Sequence, residues 1–310
     1  MEMRKLGRSG LVTPRLILGG NVFGWTVKGA EAFAILDRFA EAGGVMIDTA
    51  DVYTQWIPGH VGGESERLIG EWLKRRGGAK GMLIATKVGW AEGLSAREIA
   101  RASEASLQRL GIETIDLYYA HKDDPATPLE ETLAAFDRLV QAGKVRALGA
   151  SQIEADRLAE ALDIAERVGF APYSVLQTWY NLVDRPRYEG ALSALVAERG
   201  LGMTAFYGLA NGYLTGKYRT EADLARSVRG ERVAGHMAGN GPRVLAAFDE
   251  VAAETGATPA QIALAWLAAQ PTVTAPIASA TSLAQLEELL GALTLELSAP
   301  QLAYLSAASA

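Results

Sequence analysis

The chain contains no cysteine, which excludes a disulfide framework, thiolate metal ligation and thiol catalysis, and fits a reducing compartment. Histidine is nearly as scarce. Of the three, His60 and His236 fall in loop-like segments with no second ligand at metal spacing, so neither is given a role and no metal site is expected. There is no long Lys/Arg run and the formal net charge is −6, so the basic footprint of a nucleic-acid or membrane-surface binder is missing. The longest apolar segment, Ile262 to Ala280, is broken by Gln270, Pro271 and Pro276, which disqualifies it as a membrane span. The opening Met1-Glu2-Met3-Arg4-Lys5-Leu6-Gly7 also lacks the apolar stretch of a signal peptide, so a cytoplasmic protein with no membrane partner is expected. Absent too is G-x-G-x-x-G, through which a Rossmann sheet brings its backbone to a pyrophosphate. A dinucleotide would have to be held here by another device.

An apolar fraction of 49% against 21% charged residues places the chain among soluble globular proteins. Its 310 residues suit one α/β barrel domain spanning 1–310. Short runs rich in Val, Ile and Tyr recur at Leu16–Leu18, Val45–Ile47, Met82–Ala85, Ile115–Tyr119, Val145–Leu148, Val175–Leu176, Met203–Phe206 and Val273–Ile277, giving eight strands. Between them, Ala30–Glu41, Glu64–Arg75, Ala96–Leu110, Leu129–Gln141 and Ala155–Val168 carry apolar residues at three- and four-residue spacing and read as amphipathic helices. Gly43-Gly44, Gly77-Gly78, Gly111, Gly143, Gly169 and Gly200 stand where left-handed helix ends are wanted. Eight alternating units predict a (β/α)8 TIM barrel. An N-terminal hairpin over Met3–Pro14 would plug its bottom. Extra helices over Arg243–Glu254 and Pro259–Ala269 precede the last strand, and the connection from Tyr207 to about Pro242 is long enough to be functional.

In such a barrel the reacting groups gather where the strands end. Four polar side chains fall there: Asp48, Tyr53, Lys87 and His121. Each alone has a structural explanation: a helix cap for Asp48, rim packing for Tyr53, a solvated Lys87, a core imidazole for His121. Together they form a chemically coherent set. Tyrosine, with a pKa of about 10, is a weak acid; a nearby Lys87 ammonium would favour the phenolate, Asp48 would hold that ammonium in place, and His121 could orient a carbonyl oxygen. Hydride would have to come from a cofactor, since no side chain donates one. Asp48 and Asp51 as paired carboxylates of a barrel hydrolase or isomerase are the alternative, which predicts activity without nicotinamide.

Asp48-Thr49-Ala50-Asp51-Val52-Tyr53, Ala85-Thr86-Lys87 and Tyr119-Ala120-His121 resemble the catalytic segments of the aldo-keto reductase family. So do Gly63-Glu64-Ser65-Glu66, the run from Gly143 to Ser151, Gln177-Thr178-Trp179-Tyr180-Asn181-Leu182 and Leu214-Thr215-Gly216-Lys217-Tyr218. The resemblance spans nearly the whole chain. It implies reduction of aldehydes and ketones to alcohols, with Tyr53 as general acid, Lys87 and Asp48 tuning it, His121 positioning the small carbonyl substrate, and NADPH as hydride source. It further implies Ser151, Gln152 and Gln177 at the nicotinamide carboxamide and Phe206 as the stacking ring. Tyr207, Gly208, Leu209, Asn211 and Lys217 would lie along the pyrophosphate loop, and Ser279, Thr281 and Gln285 about the adenosine end.

Three positions depart from the family pattern. Phe206-Tyr207-Gly208-Leu209 replaces a tyrosine followed by Ser-Pro-Leu, Gln152 replaces asparagine, and Thr281 stands where an arginine often grips the 2′-phosphate. The last points to use of NADH beside NADPH. Trp25, Trp56, Trp90 and Trp179, with Phe23, are expected to line an aromatic substrate pocket. Some members of the family resemble oxidoreductases yet serve as cofactor-binding regulatory subunits of potassium channels, which is the alternative function. A monomer is the default assembly.

Overall fold

The computed structural model of the protein describes residues 2–226 and 230–310. Positions 227–229, inside the long connection expected between Tyr207 and Pro242, lie outside the described residues. A short antiparallel hairpin comes first, β1 (Met3–Lys5) against β2 (Val12–Pro14). Eight strands follow: β3 (Ile17–Gly19), β4 (Met46–Asp48), β5 (Leu83–Val88), β6 (Ile115–Ala120), β7 (Val145–Ser151), β8 (Tyr173–Trp179), β9 (Gly202–Phe206) and β10 (Val273–Ala278). They pair in parallel in chain order, and β10 closes on β3, so the expected TIM barrel forms.

The helices between strands are α1 (Gly29–Glu41), α2 (Glu64–Arg75), α3 (Ala96–Leu110), α4 (Leu129–Gln141), α5 (Ala155–Val168) and α6 (Ala191–Arg199). Before β10 come α7 (Gly230–Ala238), α8 (Gly241–Thr255) and α9 (Pro259–Ala268); α10 (Leu283–Gly291) and α11 (Ala299–Ala308) follow it. Local chemistry explains their limits. On α2 the buried Leu68, Ile69, Trp72 and Leu73 form one stripe, while Glu71, Lys74 and Arg75 face solvent. The Ser95 hydroxyl caps α3 by accepting from Glu98 N, and Gly111 ends that helix in the left-handed conformation. α9 starts with a Thr258 cap and Pro259 in its first turn, where a missing N–H costs nothing.

Burial falls in two layers. Leucine, isoleucine and aromatic side chains fill the space between strands and helices, with Phe39, Trp72, Phe136 and Trp266 fully buried, each worth roughly 1.5–3 kcal/mol by transfer. Inside the barrel, Leu6 and Leu11 of the hairpin pack with Ile17, Met46, Leu117, Tyr119, Val175 and Ile277. The hairpin turn fits because Gly7, at φ +56°, lies directly on the Gly202 backbone, where any Cβ would collide. That plug seals the N-terminal end and leaves the C-terminal strand ends as the open face. Among the described residues no helix is long and apolar enough to cross a membrane.

Candidate active site

Asp48 is the last residue of β4, Lys87 lies near the end of neighbouring β5, and His121 follows β6 directly. Ser151 and Gln177 pair across β7 and β8. Adjacent strands therefore deliver all of these side chains to one mouth. The Lys87 ammonium donates to Asp48 Oδ1 at 2.5 Å, to the Thr49 carbonyl at 2.7 Å and to the Tyr53 hydroxyl at 3.0 Å. Its three protons match three acceptors, and the side chain is fully buried. From the other side of the barrel Gln177 Nε2 donates to Asp48 Oδ2 at 2.8 Å, so both oxygens of the aspartate are engaged. The edge of the Tyr53 ring meets the imidazole of His121, centroids 5.9 Å apart.

Burial works against the charge on Lys87, but Asp48 and Tyr53 outweigh it and raise its pKa above the ordinary value. For His121 burial is again the first cause, and Lys87 and Lys122 add to it, driving the pKa well below the usual range. The imidazole is neutral at physiological pH. Tyr53 differs from the sequence expectation. Lys87 does pull the phenol pKa down, but burial of the hydroxyl is the larger effect and the net shift is upward.

Sequence reasoning recognised the segment Gly63-Glu64-Ser65-Glu66 without assigning its work. Glu64 Oε2 accepts from the Thr54 hydroxyl at 2.6 Å and Oε1 from Val61 N at 3.1 Å, while His60 Nδ1 lies 3.0 Å from the same hydroxyl. Ser65 donates to the Gly20 carbonyl at 2.7 Å and bonds to Thr49 Oγ1 at 2.8 Å. Glu66 accepts from Thr86 and from Arg109, each at 2.6 Å. One turn of α2 thus grips the loops flanking Asp48, Tyr53 and Lys87. Thr54 sits at φ +79°, a strained conformation for a β-branched residue, and this clamp holds it there.

Two buried polar atoms bear on whether this mouth fits a nicotinamide group. Among the described residues neither the buried Ser151 Oγ nor the buried His121 Nδ1 has a hydrogen-bond partner, which leaves both free to serve a bound molecule. Gln152, at φ +47°, donates its amide to the His121 carbonyl at 3.2 Å. Phe206 is half-buried beside Trp179. The loop beyond it is strained: Tyr207, Ala210 and Asn211 are all left-handed, at φ +57°, +48° and +57°, costing about 1–2 kcal/mol each. Gly208 packs on Leu264 and Leu267, Leu209 is half-buried, and Lys217 is exposed with its ammonium 5.1 Å from the Tyr218 ring. Ser279 donates to Asn21 Oδ1 at 2.5 Å, and the N–H and hydroxyl of Thr281 both reach Gln285 Oε1.

Aromatic residues ring the mouth. Trp25 meets Trp56 edge-on at 5.9 Å, Trp56 lies 6.1 Å from Tyr53, Trp90 lies 5.0 Å from His121, and Trp179 lies 4.2 Å from Tyr207. Phe23 does not join them; it is fully buried in the core shared by α1, α2 and β3.

Asp51, two residues from Tyr53, is half-buried near Glu66 and Arg109. Its Oδ1 has no hydrogen-bond partner among the described residues, and burial, then the Glu66 carboxylate, push its pKa up to about 7 against the pull of Arg109; Glu98 adds a further upward push. An acid whose folded pKa is raised loses stability as pH climbs from its unfolded value, 3.8, because only the unfolded chain gives up the proton there, and the loss is complete once pH passes the folded value. Asp51→Asn is therefore expected to flatten the decline in thermal stability between about pH 5 and about pH 8, gaining on the order of 2 kcal/mol at the upper end. Melting curves at both pH values check this, and an equal effect of the substitution at both would overturn it.

The model of the Aldo/keto reductase family matches residues 15–310. A probable voltage-gated potassium channel subunit beta from Arabidopsis thaliana is 31% identical over 301 residues, 93% of this chain and 90% of that protein. Aldo-keto reductase str7 of Strobilurus tenacellus is 32% identical, covering 98% of this chain and 85% of its own length. L-glyceraldehyde 3-phosphate reductase of Escherichia coli (strain K12) is 31% identical, with 93% and 86% covered.

Proposed function

Because the chain belongs to the aldo/keto reductase family, we propose that it reduces aldehydes and ketones to alcohols with a reduced nicotinamide cofactor. The observation that carries this reading is the fully buried Lys87 ammonium shared by Asp48, Thr49 and the Tyr53 hydroxyl. Ser151 and Gln177 would hold the carboxamide of the cofactor, with Gln152 beside them and Phe206 against the ring. The strained run through Tyr207, Gly208, Leu209 and Asn211, together with Lys217, would follow the pyrophosphate. When bound, the nicotinamide supplies the hydride.

The chain's own residues supply the rest. With its pKa raised, Tyr53 keeps its proton at neutral pH and can release it to a carbonyl oxygen as that oxygen gains negative charge. Lys87, 3.0 Å away and positively charged, stabilises the phenolate left behind. A neutral His121 can donate one N–H to the same oxygen without competing as the proton source. Trp25, Trp56, Trp90 and Trp179 exclude water and offer apolar contact to the substrate.

Segment 279–285 contains no lysine or arginine, and Thr281 already spends its donors on Gln285. NADPH and NADH should therefore give kcat/KM values within about tenfold, a difference below about 1.4 kcal/mol. Loss of reduced-cofactor absorbance against a panel of aldehydes tests both points; a bias of about a hundredfold to NADPH would overturn the second. The relatives named as potassium channel β subunits favour one competing reading, a cofactor-binding regulatory subunit. Retained cofactor with no turnover across the panel would select it.

A further inference from the structure

Thr54 follows Tyr53 directly, is fully buried and sits at φ +79°. A β-branched residue keeps that conformation only where its surroundings over-determine it. Two side chains meet at its hydroxyl, Glu64 Oε2 at 2.6 Å and His60 Nδ1 at 3.0 Å. Burial opposes the charge on Glu64, but hydrogen bonds from the Thr54 hydroxyl and from backbone N–H groups, with the charge of Arg67, outweigh it and hold the carboxyl below its usual range. An ionised carboxylate only accepts, so the single Thr54 proton goes to Glu64. The same oxygen can then only accept from His60, and Nδ1 must carry a proton to bond there. The direction of the chain follows: His60 donates to Thr54, and Thr54 donates to Glu64.

That chain closes a loop. Residues 54–60 are a run of turns and bends with neither strand nor helix, in which Ile57 N donates to the Thr54 carbonyl and His60 N to the Ile57 carbonyl, both at 2.9 Å. Thr54 is its one buried residue, while Gln55, Trp56, Pro58 and Gly59 are exposed, so apolar packing does little to hold its shape. The His60–Thr54 bond ties the last residue of the loop to the first. Trp56 stands in the middle, 50% exposed, and touches its surroundings through ring edges, 5.9 Å from Trp25 and 6.1 Å from Tyr53. With so little packing on the indole itself, the bonded loop sets where it stands beside the Tyr53 hydroxyl.

We propose that His60 is a positioning residue of this site: by donating to Thr54 it staples the 54–60 loop and fixes Trp56 as a wall of the mouth, against which the apolar body of a larger aldehyde packs. The proposal rests on the reductase reading and adds no chemical step to it. His60 acts on substrate choice through Trp56 and touches neither the reacting carbonyl nor the proton donor.

A matched pair of substrates tests it: 3-phenylpropanal and propanal share the carbonyl and the chain and differ by one apolar ring. The quantity read is the ratio of their kcat/KM values, phenyl over plain. His60→Ala should lower that ratio about three- to tenfold, the size of one aromatic contact, chiefly through KM. His60→Asn, whose amide N–H stands as far along the side chain as Nδ1, should keep the ratio close to native. Thr54→Val, which removes the acceptor, should match His60→Ala. Trp56→Ala should lower the ratio by itself, and adding His60→Ala to it should lower it no further, because the staple acts through that ring. A merely structural role for His60 would slow both aldehydes alike, and an unfolded fraction cancels in the ratio. An unchanged ratio in His60→Ala, an equal fall in His60→Asn, or a further fall on the Trp56→Ala background overturns the proposal while leaving the reductase intact. Turnover of neither aldehyde by the native protein overturns both readings.

Discussion

Replacing Tyr53 with phenylalanine is expected to lower kcat for aldehyde reduction by roughly two to four orders of magnitude, with binding of the reduced cofactor almost unchanged. The ring remains, so its edge contacts with Trp56 and His121 remain. Lys87 loses one of three acceptors but keeps Asp48 Oδ1 and the Thr49 carbonyl. The hydroxyl bond is worth about 1 kcal/mol in stability, so the melting temperature should move little. What disappears is the phenolic proton held against the buried ammonium. Tyr119, the other deep phenol near the site, faces Thr204 at 3.3 Å, and burial, its first cause, with the Asp48 charge behind it, moves its pKa far upward, which makes it a poor substitute. Cofactor fluorescence and single-turnover rates separate binding from chemistry. Turnover in Tyr53→Phe within about tenfold of native would remove Tyr53 as the proton donor.

The alternation of strands and helices was legible because each element carries its own periodicity. α2 to α5 start and stop at the expected residues, since their apolar stripes run the full length and capping residues such as Ser95, Gly111 and Gly169 mark their ends. α6 and α11 were not legible, because α6 buries only Leu195 and Val196 and α11 only Leu305, too few side chains to write a stripe. At the site, strand ends pointed to Asp48, Lys87 and His121, and the structure brings them together with Tyr53. The clamp from Glu64, Ser65 and Glu66 stayed hidden because its partners, Gly20, Thr49, Thr54 and Thr86, are placed by the closed barrel and not by local spacing. Phe23 shows the converse: its position after a strand suggested the rim, but the side chain is fully buried in the core shared by α1, α2 and β3. Nor could the direction of the Tyr53 shift be read, since two opposing effects of similar kind decide it and only burial depth ranks them.

Removing Lys87 should separate the structural from the chemical role of the buried pair. Lys87→Met leaves the Asp48 carboxyl, 3% exposed, without its cation and supported only by Gln177. Breaking a buried ion pair on one side costs about 3–5 kcal/mol, a loss a melting curve resolves easily. Adding Asp48→Asn to the same chain removes the stranded charge, and the Gln177 amide can rotate to meet an asparagine of the same shape. Most of the lost stability should then return. Activity should not return, because the developing Tyr53 phenolate still lacks a positive partner; both variants should stay at least about a hundredfold below native in kcat. If the double variant is no more stable than Lys87→Met, then Asp48 is not held in place as the counter-ion of Lys87. If instead it regains turnover, the ammonium is dispensable, and the proton must leave Tyr53 with help from His121 alone.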